Sequence, residues 1–260
     1  FYFVSLCFLF PKAMKKLLYI LLFAPLALFG QDNYSLSFDG VDDYIKIYND
    51  VGFDTAFTYS VKFKMNEYSN YSGLFGKGEG SNPYSTNAVS SMIMVGPQGE
   101  IFWEFSNGID STQSITIDSL INLNQWYNLN VTWTSNNQGS LSSIYLNGAL
   151  ISEYYSNISS INSNTNHNQA SELDNFYKIG VRDLNNDGGY GFMRGYFDGI
   201  IENLNVWNRA LTIDEIQSYI TCNPTGNENG LVAYWNFNEG SGDTVYDISG
   251  NGNHGIIHGA

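Results

Sequence analysis

Phe57, Tyr59, Val61, Phe63 and Met65 alternate with Thr58, Ser60, Lys62 and Lys64. Strict period two over such a run describes a half-buried antiparallel strand, one face in a core and the other in water. Tyr127, Leu129, Val131 and Trp133 repeat the pattern against Asn128, Asn130 and Thr132. Further strands are predicted over 34–38, 43–48, 90–95, 100–106, 141–146, 149–155, 176–181, 197–207 and 231–237. Asn147-Gly148 separates Ile144-Tyr145-Leu146 from Ala149-Leu150-Ile151, and this dipeptide favours the two positive φ angles of a type I′ hairpin. One short helix is predicted from Thr212 to about Ile220. Thr212 and Glu215 can form a capping box there, and Leu211 can staple onto Ile216. About a dozen strands with one helix near the C-terminal end give an all-β fold, a two-sheet antiparallel jelly-roll β-sandwich.

Five prolines, 26 glycines and 16% aromatic residues among 260 suit one turn-rich sandwich, and the length supports a sizeable core. Met14-Lys15-Lys16 followed by the apolar run Leu17 to Phe29 has the layout of a secretory signal, with cleavage expected near Gly30 or Gln31. Residues 1–13 read as over-extended translation or a fragment's edge, and 14–30 as the signal peptide. No other apolar run reaches membrane-spanning length, so no membrane insertion of the mature chain is expected. Without Lys12, Lys15 and Lys16 the basic side chains fall from 11 to 8 against 25 acidic ones, a net charge of −17. That balance argues against nucleic acid and anionic membranes as partners. It is compatible with divalent cations or neutral glycans, and equally with a simple solubility device.

Cys7 and Cys222 are the two cysteines. With Cys7 in the leader, no intrachain disulfide is expected and Cys222 reads as an unpaired bystander. His167, His254 and His258 are expected in loops as ordinary surface histidines. The Ser- and Asn-rich stretch from Ser156 to Asn175 reads as a long exposed loop. Asp183-Leu184-Asn185-Asn186-Asp187-Gly188 has the oxygen-ligand spacing of a calcium loop, with Asp183, Asn185 and Asp187 as candidate ligands. As an EF-hand it fails, because position 12 would be Arg194, and a solvated Asn/Gly turn is the other reading. Asp39, Asp42, Asp43 and Asp198 form a second carboxylate group, either holding a structural ion or fixing tight turns through their own backbone.

Phe38-Asp39-Gly40-Val41-Asp42-Asp43-Tyr44, Trp126-Tyr127-Asn128 through Val131-Thr132-Trp133, and Ile144-Tyr145-Leu146-Asn147-Gly148 occur in that order. Phe197-Asp198-Gly199, Val206-Trp207-Asn208-Arg209-Ala210-Leu211 and the helix with Glu215-Ile216 follow. Together, over residues 34–220, they resemble the laminin G-like and pentraxin-like branch of the concanavalin A-like lectin/glucanase superfamily. The resemblance implies a LamG-like jelly-roll domain over 31–220, and it places a pentraxin-like acidic calcium loop at 183–188. The tail, 221–260, either completes the sandwich with its Trp235 strand or begins a truncated second copy.

The superfamily contains glucanases, which would need a strand of the form Glu, apolar, Asp, apolar, Glu. In Glu100-Ile101-Phe102-Trp103-Glu104 a Phe holds the place of the middle Asp, so catalysis is not expected. Trp126, Trp133, Trp207 and Trp235 fall on strand patterns and are assigned to core packing. Trp103, Tyr84 and Tyr190 are left as candidate ligand platforms. The expected function is a secreted or cell-surface, non-catalytic module that binds carbohydrate or another extracellular ligand in adhesion, with Ca2+ as candidate cofactor. A structural spacer within a larger exported multidomain protein is the alternative, and a glycoside hydrolase the more remote one.

Overall fold

The computed structural model describes residues 34–49, 51, 55–78, 89–106, 112–161, 176–182 and 195–259. In chain order the strands are β1 (Leu36–Asp39), β2 (Tyr44–Ile47), β3 (Ala56–Met65), β4 (Ser72–Gly78), β5 (Val89–Val95) and β6 (Ile101–Ser106). β7 (Thr112–Ile117), β8 (Trp126–Asn136), β9 (Gly139–Leu146), β10 (Ala149–Ser156), β11 (Tyr177–Ile179) and β12 (Val181–Arg182) follow. β13 (Gly195–Tyr196) and β14 (Asp198–Trp207) precede helix α1 (Ile213–Thr221), and β15 (Leu231–Trp235), β16 (Thr244–Val245) and β17 (Gly255–His258) close the order.

Two antiparallel sheets make a jelly-roll β-sandwich. The first runs β1-β14-β3-β8-β9-β10 with β15 also on β14, the second β16-β17-β2-β11-β4-β5-β6-β7, and β12 with β13 forms a small ribbon. Phe57, Tyr59, Val61, Phe63 and Met65 of β3 are all buried, as period two requires, and they meet the likewise buried Phe75, Trp103, Tyr177 and Trp235. Asn147 and Gly148 take φ of 50° and 77°, the type I′ turn that joins β9 to β10.

Two short strands lie end to end along one edge of β14. β1 pairs with residues 198–201 and β15 with 204–207, while β3 covers the other edge. β17 pairs with β2 in the second sheet, so the tail contributes to both layers. A bulge at Glu202 shifts the β14 register against β3.

The helix has the cap read from sequence. The Thr212 hydroxyl accepts from the Glu215 N–H, and the Glu215 carboxylate accepts from the Thr212 N–H. Leu211 and Ile216 share a small core with Trp207, Leu231 and Tyr234 on the outer side of the first sheet. Arg209 Nη1 lies 2.8 Å from Glu215 Oε2, and this hydrogen bond, helped by Thr212 against the opposing effect of burial, lowers the Glu215 pKa from 4.5 to about 2. The stabilisation is therefore complete above pH 4.5 and lost as pH falls toward 2. Discounted for solvent screening of this partly exposed pair, it is worth about 1 kcal/mol. Urea unfolding of the protein and its Glu215→Gln variant should show that advantage at pH 7 and a smaller one at pH 3.

Several expectations are corrected. Trp126 is 41% exposed, not core: it precedes the inward-facing Tyr127, so it points outward beneath Lys62 and Lys64. Trp207 is buried, but in the helix-side cluster rather than between the sheets. His258 belongs to β17 and stacks on Tyr44 with ring centroids 4.6 Å apart; burial and the charges of Lys46 and Lys178 lower its pKa. Cys222 is disulfide-bonded rather than unpaired; the expectation assumed removal of the leader, and the partner lies outside the described residues. β4 and β7 escaped prediction because one is glycine-rich and the other largely polar. Residues 162–175 of the predicted loop lie outside the described residues, but Ile158, near its start, is buried.

Candidate functional site

The turn between β1 and β2 collects carboxylates. Asp39 Oδ1 accepts from the N–H groups of Val41 and Asp42, and Asp43 Oδ2 accepts from the Asp39 N–H at 2.8 Å. These bonds give the turn-fixing reading a physical basis. They also gather one oxygen from each of Asp39, Asp42 and Asp43 to within 4.8 Å of one another. Burial, opposed by the Asp39 N–H and reinforced by the charges of Asp39 and Asp42, raises the Asp43 pKa. The all-oxygen set fits a hard cation such as Ca2+. Asp198 sits across from Asp39 in the β1–β14 register, but its carboxylate accepts from Asn66 Nδ2 at 3.1 Å and is not part of the cluster.

A second group lies on the outer face of the second sheet. Directly opposed residues share a face, so the registers Met92↔Glu104, Met94↔Phe102 and Glu104↔Ser114 place these side chains together, away from Ile93 and Trp103. Arg182, at the end of β12, brings Nη2 to 3.8 Å from Glu104 Oε2. Its guanidinium carbon lies 5.1 Å from the centroid of the Tyr71 ring, which meets Phe102 edge-on at 5.0 Å. Glu104 Oε1 accepts from Ser114, whereas Glu104 Oε2 and Arg182 Nε are buried without a hydrogen-bond partner. Tyr71 holds φ of 53° and is 38% exposed. A bulky residue in the left-handed region is strained, and such strain gathers at binding sites.

Trp103 does not serve as the exposed platform expected of it. It is fully buried, stacked on Phe105, and its indole N–H donates to Ser142 Oγ. Alternation along β6 turns it inward and turns its neighbours Phe102 and Glu104 outward. Glu100 is occupied in the β5–β6 turn, accepting from the Gln98 N–H at 2.8 Å. Asp183, Asn185, Asp187, Tyr84 and Tyr190 lie outside the described residues. Sequence reasoning missed Tyr71 and Arg182 altogether; no motif marks either, and only the glycine-rich strand after Tyr71 hints at a backbone packed unusually closely.

With fold and site in view, the family is plain: the chain belongs to the concanavalin A-like lectin/glucanases superfamily, whose laminin G model matches residues 39–217. Among solved structures it resembles a candidate carbohydrate binding protein from Bacteroides ovatus, with TM-score 0.61 and 17% identity over 87% of this chain. The chain spans 59% of that protein's length. It also resembles a heptameric SAP-like pentraxin from Limulus polyphemus, with TM-score 0.51 and 17% identity over 86% of this chain and 93% of the other. A third is the CBM40 of a Ruminococcus gnavus sialidase bound to α2,3 sialyllactose, with TM-score 0.50 and 14% identity over 72% and 95% of the two chains. No curated protein matches the chain. No helix among the described residues is long and apolar enough to cross a membrane.

Proposed function

We propose that the protein is a secreted or cell-surface, non-catalytic carbohydrate-binding module, one unit of a longer protein, whose glycan lies on the outer face of the second sheet. The observation that carries this reading is the group formed by Tyr71, Phe102, Glu104 and Arg182. A half-exposed aromatic ring is held in a strained backbone over the Arg182–Glu104 ion pair, in which Arg182 Nε and Glu104 Oε2 lack a hydrogen-bond partner. A sugar ring presents an apolar face to such a tyrosine, and the charged pair beneath holds that ring in place. Binding rather than hydrolysis is supported by the carboxylates: Glu104 is tied to Arg182 and Ser114, Glu100 to its turn, and Phe102 stands between them. Superfamily membership and the carbohydrate-binding descriptions of two structural neighbours point the same way.

Screening the protein on an array of neutral and sialylated glycans, in calcium and in chelator, tests the reading. Binding that falls at least about tenfold in Arg182→Met, with a native near-ultraviolet spectrum, is expected. Absence of binding to any glycan would move the protein to the spacer class.

The Asp39, Asp42 and Asp43 turn is proposed as a calcium site that braces the rim of the sandwich. An ion bound only by the folded state raises its stability, by about 2.7 kcal/mol at a hundredfold excess over the dissociation constant. Thermal melts should therefore rise with millimolar calcium and fall back in chelator, and Asp42→Asn with Asp43→Asn should remove the response. An unchanged melt of the unaltered protein would sink the calcium site and leave glycan binding to be judged by the array.

A further inference from the structure

On the helix side of the first sheet, two irregularities aim polar side chains into one hollow of about 290 Å³, lined by Tyr34, Glu202, Asn223, Tyr234, Asn236 and Asn238 among others. The first is the bulge at Glu202; bulges re-aim a side chain and recur beside binding sites. The second is Phe237, a buried aromatic residue at φ of 53°, flanked by Asn236 and Asn238. The hollow lies where β1 begins and β15 ends along the β14 edge, a junction fastened by the Tyr34 N–H donating to Asn238 Oδ1 at 2.8 Å.

We infer that this hollow is a second ligand site, distinct from the face bearing Tyr71 and Arg182, that accepts one neutral polyhydroxylated ring of monosaccharide size. Its volume sits at the small end of ligand pockets. Three amide oxygens are committed within the protein: Asn238 Oδ1 to Tyr34, Asn236 Oδ1 to the Asn238 N–H, and Asn223 Oδ1 to Asn203 Nδ2. The three NH2 groups are thereby the donors offered to a guest. Glu202 supplies the acceptor, and Lys62 Nζ, 2.6 Å from its Oε2, neutralises it. That ion pair disfavours both a cation and an anion in the hollow and selects an uncharged guest. Tyr34, 47% exposed, offers a ring at the edge, and Tyr234 remains a protonated hydroxyl at neutral pH because burial, with Glu202 and Glu228 adding, raises its pKa to about 12.

The probes are glucose, galactose and mannose titrated singly into 15N-labelled protein while the side-chain amides of Asn223, Asn236 and Asn238 are followed by NMR. Saturable shifts of those amides with at least one sugar, and a dissociation constant on the order of 1 mM, are expected. Asn236→Ala should weaken that binding at least about tenfold, and Asn223→Leu, at an exposed position, should do the same while the backbone amide spectrum away from the hollow stays unchanged. Arg182→Met should leave it unchanged, which separates this site from the one on the opposite sheet. The inference is overturned if no sugar moves the three amides, or if the shifts persist in both asparagine variants.

Discussion

Trp103→Ala is expected to lower stability by about 3–5 kcal/mol, the range for removing a fully buried tryptophan. The indole packs against Phe57 and Tyr59 at centroid distances of 6.0 Å and against Phe105 at 5.5 Å. Its N–H is spent on Ser142 Oγ, 3.0 Å away, so truncation leaves both a cavity and a hydroxyl deprived of its donor. In a sandwich of this size the melting temperature should fall by roughly 10 °C. Glycan binding measured well below the new transition should survive. A variant with native stability and lost binding would return Trp103 to the role of ligand platform and refute its place in the core.

Gly73→Ala should cost about 2–3 kcal/mol, a large penalty for one methyl group. A Cβ at this position would lie 2.2 Å from the Val181 carbonyl carbon and 2.3 Å from the Arg182 nitrogen. These neighbours are backbone atoms, so no rotamer change can relieve the overlap. β4 would have to move away from β12, and Arg182 would move with it. Destabilisation in urea together with weaker glycan binding is the expected pair of results. Full stability would mean that β4 and β12 are not packed as closely as the structure shows, and unchanged binding in a destabilised variant would detach Arg182 from the ligand.

Much of the fold could be read locally. The alternation in β3 and β8 sets which residues enter the core, because period two leaves each side chain only two faces to choose between. Asn147-Gly148 defines its hairpin through φ angles that few other residue pairs tolerate, and Thr212 with Glu215 defines the helix start through hydrogen bonds made within one turn. Trp126 shows the limit of type-based reasoning: its hydrophobicity suggested burial, but its phase relative to Tyr127 put it on the surface. β4 was illegible because its glycines serve close backbone approaches, Gly76 to Ser91 and Gly73 to Val181, the latter more than a hundred residues away in sequence.

The candidate sites follow the same division. Asp39, Asp42 and Asp43 are near neighbours in the chain, so one tight turn brings them together and their grouping was legible. Asp198 was grouped with them by type, yet Asn66 claims its carboxylate. Tyr71, Glu104 and Arg182 converge from three separate strands or strand ends, and Glu202 lines one hollow with Asn236 because β15 pairs with β14. The sequence alone determined the strand phases, the hairpin, the helix cap and the acidic turn, since each rests on backbone conformation and hydrogen bonds within a few residues. Tertiary structure alone decided which side chains from distant strands share a surface, because that depends on sheet order and register, set by long-range pairing that no local pattern encodes.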